Sequence, residues 1–221
     1  MTDIVEGGHR FAVTYVTPAT CTEYGTSTAT CNVCGEVVTD DAYEAPLGHD
    51  YIATVTTEPS CSTGGVMTYT CSRCDDSYTE EIAALAHDFS AGAQCTTCGT
   101  DAEASVTIGG IVTYYATAYE ASVVVQYCTE EDNALIVLLK DIVLKKSFDR
   151  YIFLKNCVCT LDLNGKTVYG NSKNYEPIRV SYDSDVTIVD SVGTGKVTGG
   201  ANTFGVAFST LTVNGGTFIG T

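Results

Sequence analysis

The sequence predicts a mainly β protein in two parts: small zinc-ribbon-like β-hairpin repeats, then an N-terminally capped parallel β-helix. Three observations predict it. The spacing His-x11-Cys-x9-Cys-x2-Cys occurs twice in succession near the start of the chain. After residue 133, four pairs of alternating apolar residues recur 25 residues apart. Between these stretches lie a Gly-Gly turn flanked by β-type residues and a helix-capping signature.

The 221 residues fit one large or two modest domains, and with 44% hydrophobic against 17% charged residues the chain has ample material for a core. The net charge of −16 excludes the class of proteins that grip phosphate backbones through Lys and Arg. The imbalance is steepest early, where Arg10 and Arg73 alone oppose fourteen acidic side chains in the first hundred residues. No stretch approaches the roughly 18 apolar residues of a membrane span. The opening Met1-Thr2-Asp3-Ile4-Val5-Glu6 is acidic and lacks the basic-then-apolar order of a secretory signal.

The first repeat carries His9, Cys21, Cys31 and Cys34, and the second carries His49, Cys61, Cys71 and Cys74 at the same spacing. A shortened third copy, His87 with Cys95 and Cys98, omits the first cysteine. Alternating stretches such as Val66-Met67-Thr68-Tyr69-Thr70 read as hairpin strands. A unit of about 40 residues buries too little to stand alone and needs a metal or disulfides. Three thiolates and one imidazole complete a tetrahedral structural zinc site, and Cys-x2-Cys lets one turn present two sulfurs. Three cysteines per unit suit disulfides poorly, because one thiol is left over. A redox dithiol is expected at a helix start, whereas these pairs lie between strands. About two to three zinc ions are therefore expected. Two groupings are open: each His with the cysteines after it, or each His with the cysteines before it. The first is preferred, because the shortened copy keeps His87, Cys95 and Cys98 together. Cys128, on an expected cap helix, and Cys157 and Cys159, in an apolar strand, read as buried thiols.

Residues 105–108 and 111–115 read as a hairpin around Gly109-Gly110. Thr117 and Glu120 make a capping box for a helix carrying Tyr119, Val123 and Tyr127 on one face. This hairpin and helix are expected to cover the open end of a solenoid.

The solenoid rests on Ile136/Leu138, Leu161/Leu163, Val186/Ile188 and Leu211/Val213, expected to stack as two apolar columns. Second strands recur at 142–144, 167–168, 196–197 and 217–218, and third strands at 152–154, 178–180 and 206–208. Gly165, Gly170, Gly195, Gly199, Gly216 and Gly220 mark the corners. Asp141, Asp162, Asp183, Asp185 and Asp190, with Lys166 and Arg179, are the residues able in principle to serve glycan chemistry. They form no stacked ladder, Asp162 is expected to point outward, and no catalytic residue is assigned.

The segments Gly48-His49-Asp50-Tyr51, Pro59-Ser60-Cys61, Thr68-Tyr69-Thr70-Cys71-Ser72-Arg73-Cys74 and Ser77-Tyr78-Thr79 resemble the G-H-x-Y, P-T-C, T-Y-T-C-x-x-C-G, S-Y-T repeat of large cell-surface proteins from gut Firmicutes. The likeness covers roughly residues 7–100. Asp75 and Ala86 stand where the repeat has Gly, and Phe11 and Phe89 where it has Tyr, but no metal ligand is lost. Leu161-Asp162-Leu163-Asn164-Gly165-Lys166-Thr167 and Val213-Asn214-Gly215-Gly216-Thr217-Phe218 resemble the right-handed β-helix of pectate-lyase-like surface proteins, a fold that serves enzymes and noncatalytic adhesins alike.

Expected boundaries are 1–47 and 48–86 for the full repeats, 87–100 for the shortened one, 101–133 for the cap and 134–221 for the rungs. The resemblances imply a piece of a longer extracellular or wall-attached protein. Its repeats would form a zinc-stapled arm that presents the solenoid to a glycan or another surface protein, without nucleic acid as a partner. The alternative is the front end of a β-helix polysaccharide lyase or glycoside hydrolase.

Overall fold

The computed structural model describes residues 9–144, 151–170, 176–199 and 203–220. Gly8 of the first Gly-His pair, the opening Met1–Glu6 stretch and Thr221 lie outside them. Two compact units are present, residues 1–85 and 86–221. The shortened repeat 87–100 thus belongs with the cap and rungs.

In the first unit β1 (Phe11–Thr17), β2 (Gly25–Cys31) and β3 (Val37–Glu44) form one antiparallel sheet. A second sheet is formed by β4 (Tyr51–Thr57), β5 (Gly65–Cys71) and β6 (Ser77–Ile82). The repeat is a repeat of register as well as of spacing. Phe11 pairs with Cys31 as Tyr51 pairs with Cys71, and both first strands carry a bulge, between Val13 and Tyr15 and between Val55 and Thr57. These sheets bury almost nothing. In β3 and β4 every residue is exposed. The buried apolar side chains described before residue 86 are Ala19, Cys21, Cys31 and Cys71. Three of those four are cysteines, so hydrophobic burial cannot be what holds this unit together.

The second unit has a conventional core. β7 (Ala104–Ile108) and β8 (Ile111–Tyr115) form the expected hairpin, and α1 (Ala118–Val124) starts at Thr117 with both capping-box bonds to Glu120 made. Eleven strands follow, all in parallel pairings with one another: β9 (Ala134–Leu138), β10 (Ile142–Val143), β11 (Ile152–Lys155), β12 (Val158–Asp162), β13 (Thr167–Tyr169), β14 (Ile178–Ser181), β15 (Asp185–Val189), β16 (Lys196–Thr198), β17 (Phe204–Ala207), β18 (Thr210–Val213) and β19 (Thr217–Ile219). The chain visits three sheets in fixed rotation, ordered β9-β12-β15-β18, β10-β13-β16-β19 and β11-β14-β17. Antiparallel β7 pairs with β9 and covers the exposed edge of the first of these sheets. Inward residues of all three sheets form one cluster, with Ile136, Leu138, Leu154, Leu161, Leu163, Val168, Ile178, Ile188 and Val197 fully buried. Each such burial is worth about 1.5–3 kcal/mol.

Three expectations are corrected. A constant 25-residue offset would set Leu161 against Val186 and Leu163 against Ile188. The pairing sets Cys159 against Val186 and Leu161 against Ile188. The shift is an even number of residues, so every inward side chain stays inward. Cys159 fills the column between Ala134 and Val186. Part of the extra length sits at the corner where Tyr182 and Asp183 both take positive φ (60° and 53°), a conformation Asn156 (49°) takes alone at the equivalent corner. The helix also turns a different face inward. Ala118, Ala121 and Ser122 are buried, while Tyr119 and Val123 are exposed and Tyr127 lies beyond the helix. Small side chains let α1 approach closely enough for the Ser122 hydroxyl to accept the Phe153 amide at 3.2 Å. Cys128 likewise falls after the helix, half-buried rather than on it.

The tightest corner is Gly199, whose φ is +86° and where an added Cβ would collide with the carbonyl of Gly170. Gly193 has the same φ with open space around it. Gly193→Ala is expected to cost about 1 kcal/mol, the strain of a positive φ. Gly199→Ala should cost at least about 2 kcal/mol more, because the backbone of the neighbouring rung must move. Urea unfolding of the two variants followed by circular dichroism checks the difference.

Candidate metal centres

Each hairpin sheet places its Cys-x2-Cys at the turn after its middle strand. At this knuckle the Cys31 amide bonds the Glu36 carbonyl at 2.7 Å, and the Gly35 amide bonds the Cys31 carbonyl at 2.9 Å. The second and third copies repeat the first of these bonds, from Cys71 to Asp76 and from Cys95 to Thr100, both at 2.9 Å. The segment before the first strand is laid against this knuckle by Asn32 to Arg10 and Ser72 to Asp50, both at 2.8 Å, and by Thr96 to Asp88 at 2.9 Å. That placement brings each His ring to the second cysteine. The distances from Cys Sγ to His Nδ1 are 3.2 Å for Cys34 and His9, 3.4 Å for Cys74 and His49, and 3.4 Å for Cys98 and His87. Each ring is stacked on the aromatic two residues on, His9 on Phe11, His49 on Tyr51 and His87 on Phe89.

Three Cys/His clusters result, each able to hold a metal ion. In the first unit His9 joins Cys31 and Cys34, and His49 joins Cys71, Cys74 and Cys21, with all ligand atoms of a cluster within 4.8 Å of one another. In the second unit His87 meets Cys95 and Cys98. Two sulfurs bound about 2.3 Å from one tetrahedral ion lie about 3.8 Å apart. Cys21 Sγ and Cys71 Sγ are 3.8 Å apart, far beyond the roughly 2.05 Å of a disulfide.

Neither grouping read from the spacing survives. Cys21 does not join His9, Cys31 and Cys34, and Cys61 does not join His49, Cys71 and Cys74; the third thiol at His49 is Cys21 of the preceding repeat. The reason is strand length. Cys21 precedes β2 and Cys31 ends it, so seven extended residues, about 20 Å, separate them. Cys61 and Cys71 are held apart in the same way by β5. Antiparallel β3 instead returns the chain to the Cys21 end, where the amides of Leu47 and Gly48 bond the carbonyls of Thr20 (2.9 Å) and Cys21 (3.0 Å). Arg73 secures the same linker by donating to the carbonyls of Leu47 (3.1 Å) and Gly48 (3.3 Å). Cys61 holds in the second repeat the position of Cys21 in the first, and Leu85 bonds Ser60 there at 2.9 Å as Leu47 bonds Thr20. The signal was present in the sequence as the alternating strand between the first and second cysteines.

The electrostatics of the thiols differ by position. Burial acts to raise Cys31 and Cys71, but backbone amides aimed at the sulfurs, including Val33 at 3.4 Å and Arg73 at 3.5 Å, outweigh it and bring both down to about 6. Cys95 falls to about 5 for the same reasons, with burial opposing and the amides of Cys98, Asp88 and Thr97 and the His87 ring prevailing. Cys21 has no such amides. Burial, with hydrogen bonds to Cys74 and Cys71, pushes it up to about 11.

Of the other cysteines, Cys157 and Cys159 are buried as expected, 3.8 Å apart. Three carboxylates among the parallel strands bind backbone. Asp162 is buried rather than outward and accepts the amides of Asn164 (2.8 Å) and Ser191 (3.0 Å). Asp190 accepts those of Gly165 (2.8 Å) and Gly195 (2.6 Å), and Asp141 accepts Thr167 at 2.7 Å. Each of the three reaches an amide on a neighbouring rung.

These contacts can be tested at the thiols. Cys21→Ser should expose Cys71 and Cys74 to alkylation while leaving Cys31 and Cys34 protected, as peptide mapping after iodoacetamide would report. Had Cys21 belonged with His9, the protection would be lost at Cys31 and Cys34 instead. A second expectation concerns pH. Because Cys31, Cys71 and Cys95 ionise more easily folded than unfolded, their contribution to the metal-free fold is full above the unfolded thiol range near pH 8.5 and fades as pH falls toward 6. Metal held by these thiolates should leave in the same direction. Metal retained after gel filtration is expected to be complete at pH 7.5 and lost by about pH 5. Equal retention at both would rule out thiolate ligation. No protein-family model, no curated protein and no solved structure matches this chain.

Proposed function

We propose that the chain is a noncatalytic structural module of an extracellular or cell-wall protein. Its Cys/His repeats hold structural zinc, about two to three ions, and act as a solvated arm. The parallel rungs form a right-handed β-helix that the arm presents to a glycan or another surface protein. The observation that carries the reading is the near-absence of apolar burial among the described residues of the first unit, where three of the four buried apolar side chains are cysteines gathered into metal-competent clusters. Zinc is favoured over other ions by the chemistry of the thiolate and imidazole donors. The strongly acidic, lysine-poor repeats suit a solvated stalk. The fixed rotation of the chain through three parallel sheets supports the β-helix. Among the described residues, no helix is long and apolar enough to cross a membrane.

The noncatalytic reading is supported by the use of Asp141, Asp162 and Asp190 as ties between neighbouring turns, each carboxylate accepting at least one backbone amide. A lyase or hydrolase would keep such groups free to move a proton at a sugar. Zinc content by mass spectrometry on protein purified without added metal tests the first half, with two to three ions per chain expected. Chelation should then make residues 9–85 sensitive to protease while the rungs, which have their own core, stay resistant. Uniform resistance, or zinc-free protein of the same stability, would refute the stapled arm. Release of unsaturated or reducing sugar ends from polysaccharide would refute the noncatalytic assignment.

A further inference from the structure

Resting on the zinc reading, we propose that the carboxylate of Glu36 is the fourth ligand of the first site. That would make it a centre of two thiolates, one imidazole and one carboxylate, and the most readily exchanged metal position in the chain. Among the described residues, His9, Cys31 and Cys34 supply three donors, one fewer than a closed structural site requires. The first repeat's own Cys21 stands at the far end of β2 and is taken by the site at His49.

Glu36 Oε2 lies 3.4 Å from His9 Nδ1. A nitrogen and an oxygen bound about 2.0–2.1 Å from one tetrahedral ion are separated by about 3.3 Å. The nitrogen involved is decisive. Nδ1 also faces Cys34 Sγ, so it is the atom that would bind the ion. A ring nitrogen whose lone pair holds a metal has no proton to donate, and a supporting carboxylate would sit at Nε2 instead. A carboxylate beside Nδ1 is available as a co-ligand: its oxygens lie outside the 4.8 Å span that holds His9, Cys31 and Cys34 together, and a rotation of the exposed Glu36 side chain brings one to the ion. The backbone anchors the residue beside the site, since the Glu36 carbonyl accepts the Cys31 amide across the knuckle.

Comparison of the three copies points the same way. The position of Glu36 is held by Asp76 in the second repeat and by Thr100 in the third. Where Cys21 supplies the fourth ligand, the shorter Asp76 stays 3.8 Å from His49 Nδ1 and is engaged by the Tyr51 hydroxyl. In the first repeat Tyr51 is replaced by Phe11, which offers no hydroxyl, and the acid is one methylene longer. Both changes release the carboxylate toward the ion. His9 and Glu36 side chains are 37% and 54% exposed, so this site is open to water and to competing ligands.

The test uses the full chain loaded with zinc and titrated with a chromophoric chelator, with bound ions counted by native mass spectrometry. Cys34→Ser identifies which ion belongs to the first site. The wild type is expected to surrender that ion first. Glu36→Gln, isosteric and on an exposed side chain, should weaken it at least about tenfold, the lower range for losing a group that supports a metal site. Asp76→Asn should leave it unchanged. If Glu36→Gln holds the first ion as tightly as the wild type, the proposal fails while the zinc reading stands. If the wild type takes up no zinc, both fail.

Discussion

A seven-residue strand is about 20 Å long, and that length decides which thiols of this chain can meet. β2 separates Cys21 from Cys31, and β5 separates Cys61 from Cys71, so a repeat cannot close a four-ligand site on its own cysteines. Antiparallel return through β3 then puts the next histidine segment beside Cys21. The cluster at His49 therefore joins two successive repeats: one contributes a single thiol, the next an imidazole and two thiols. In sheets whose outer strands are exposed along most of their length, such clusters are where the buried side chains of the described residues concentrate. A structural zinc in small peptides contributes roughly 10–16 kcal/mol near neutral pH, several times what four small buried side chains supply.

The two units solve the same problem of an insufficient sheet in opposite ways. The hairpins present both faces to water and rely on point contacts at their turns. The rungs turn one face of each strand inward and stack it on the next, so Ile136, Leu161 and Ile188 pack as neighbours in one column. Polar groups follow the same division. In the repeats, amides at the knuckles converge on sulfur and favour thiolate. In the rungs, amides converge on Asp141, Asp162 and Asp190, which tie successive turns and leave their carboxylates engaged.

Small differences between repeats carry more information than their likeness. Phe11 for Tyr51, Glu36 for Asp76 and Val33 for Arg73 all fall within reach of one knuckle, and each alters what that knuckle can bind. Arg73 holds the linker before His49 by its carbonyls, a clamp that Val33 cannot provide. Copies with the same ligand spacing are therefore chemically distinct centres.

The sequence by itself determined the parts: the hairpins from alternation, the capping box from Thr117 and Glu120, the ligand types from Cys and His spacing, and the strand positions of the rungs from their recurring apolar pairs. These are local properties, set within a turn or a strand. Tertiary structure decided which parts meet. Ligand grouping depended on the direction in which β3 returns, and the column order depended on corner lengths that shift Leu161 from Val186 to Ile188. The buried face of α1 depended on how closely it had to approach β11, which favoured Ala121 and Ser122 over Tyr119 and Val123. Each is a question of distance between residues far apart in the chain, and spacing along a sequence does not encode distance until the strands between are laid down.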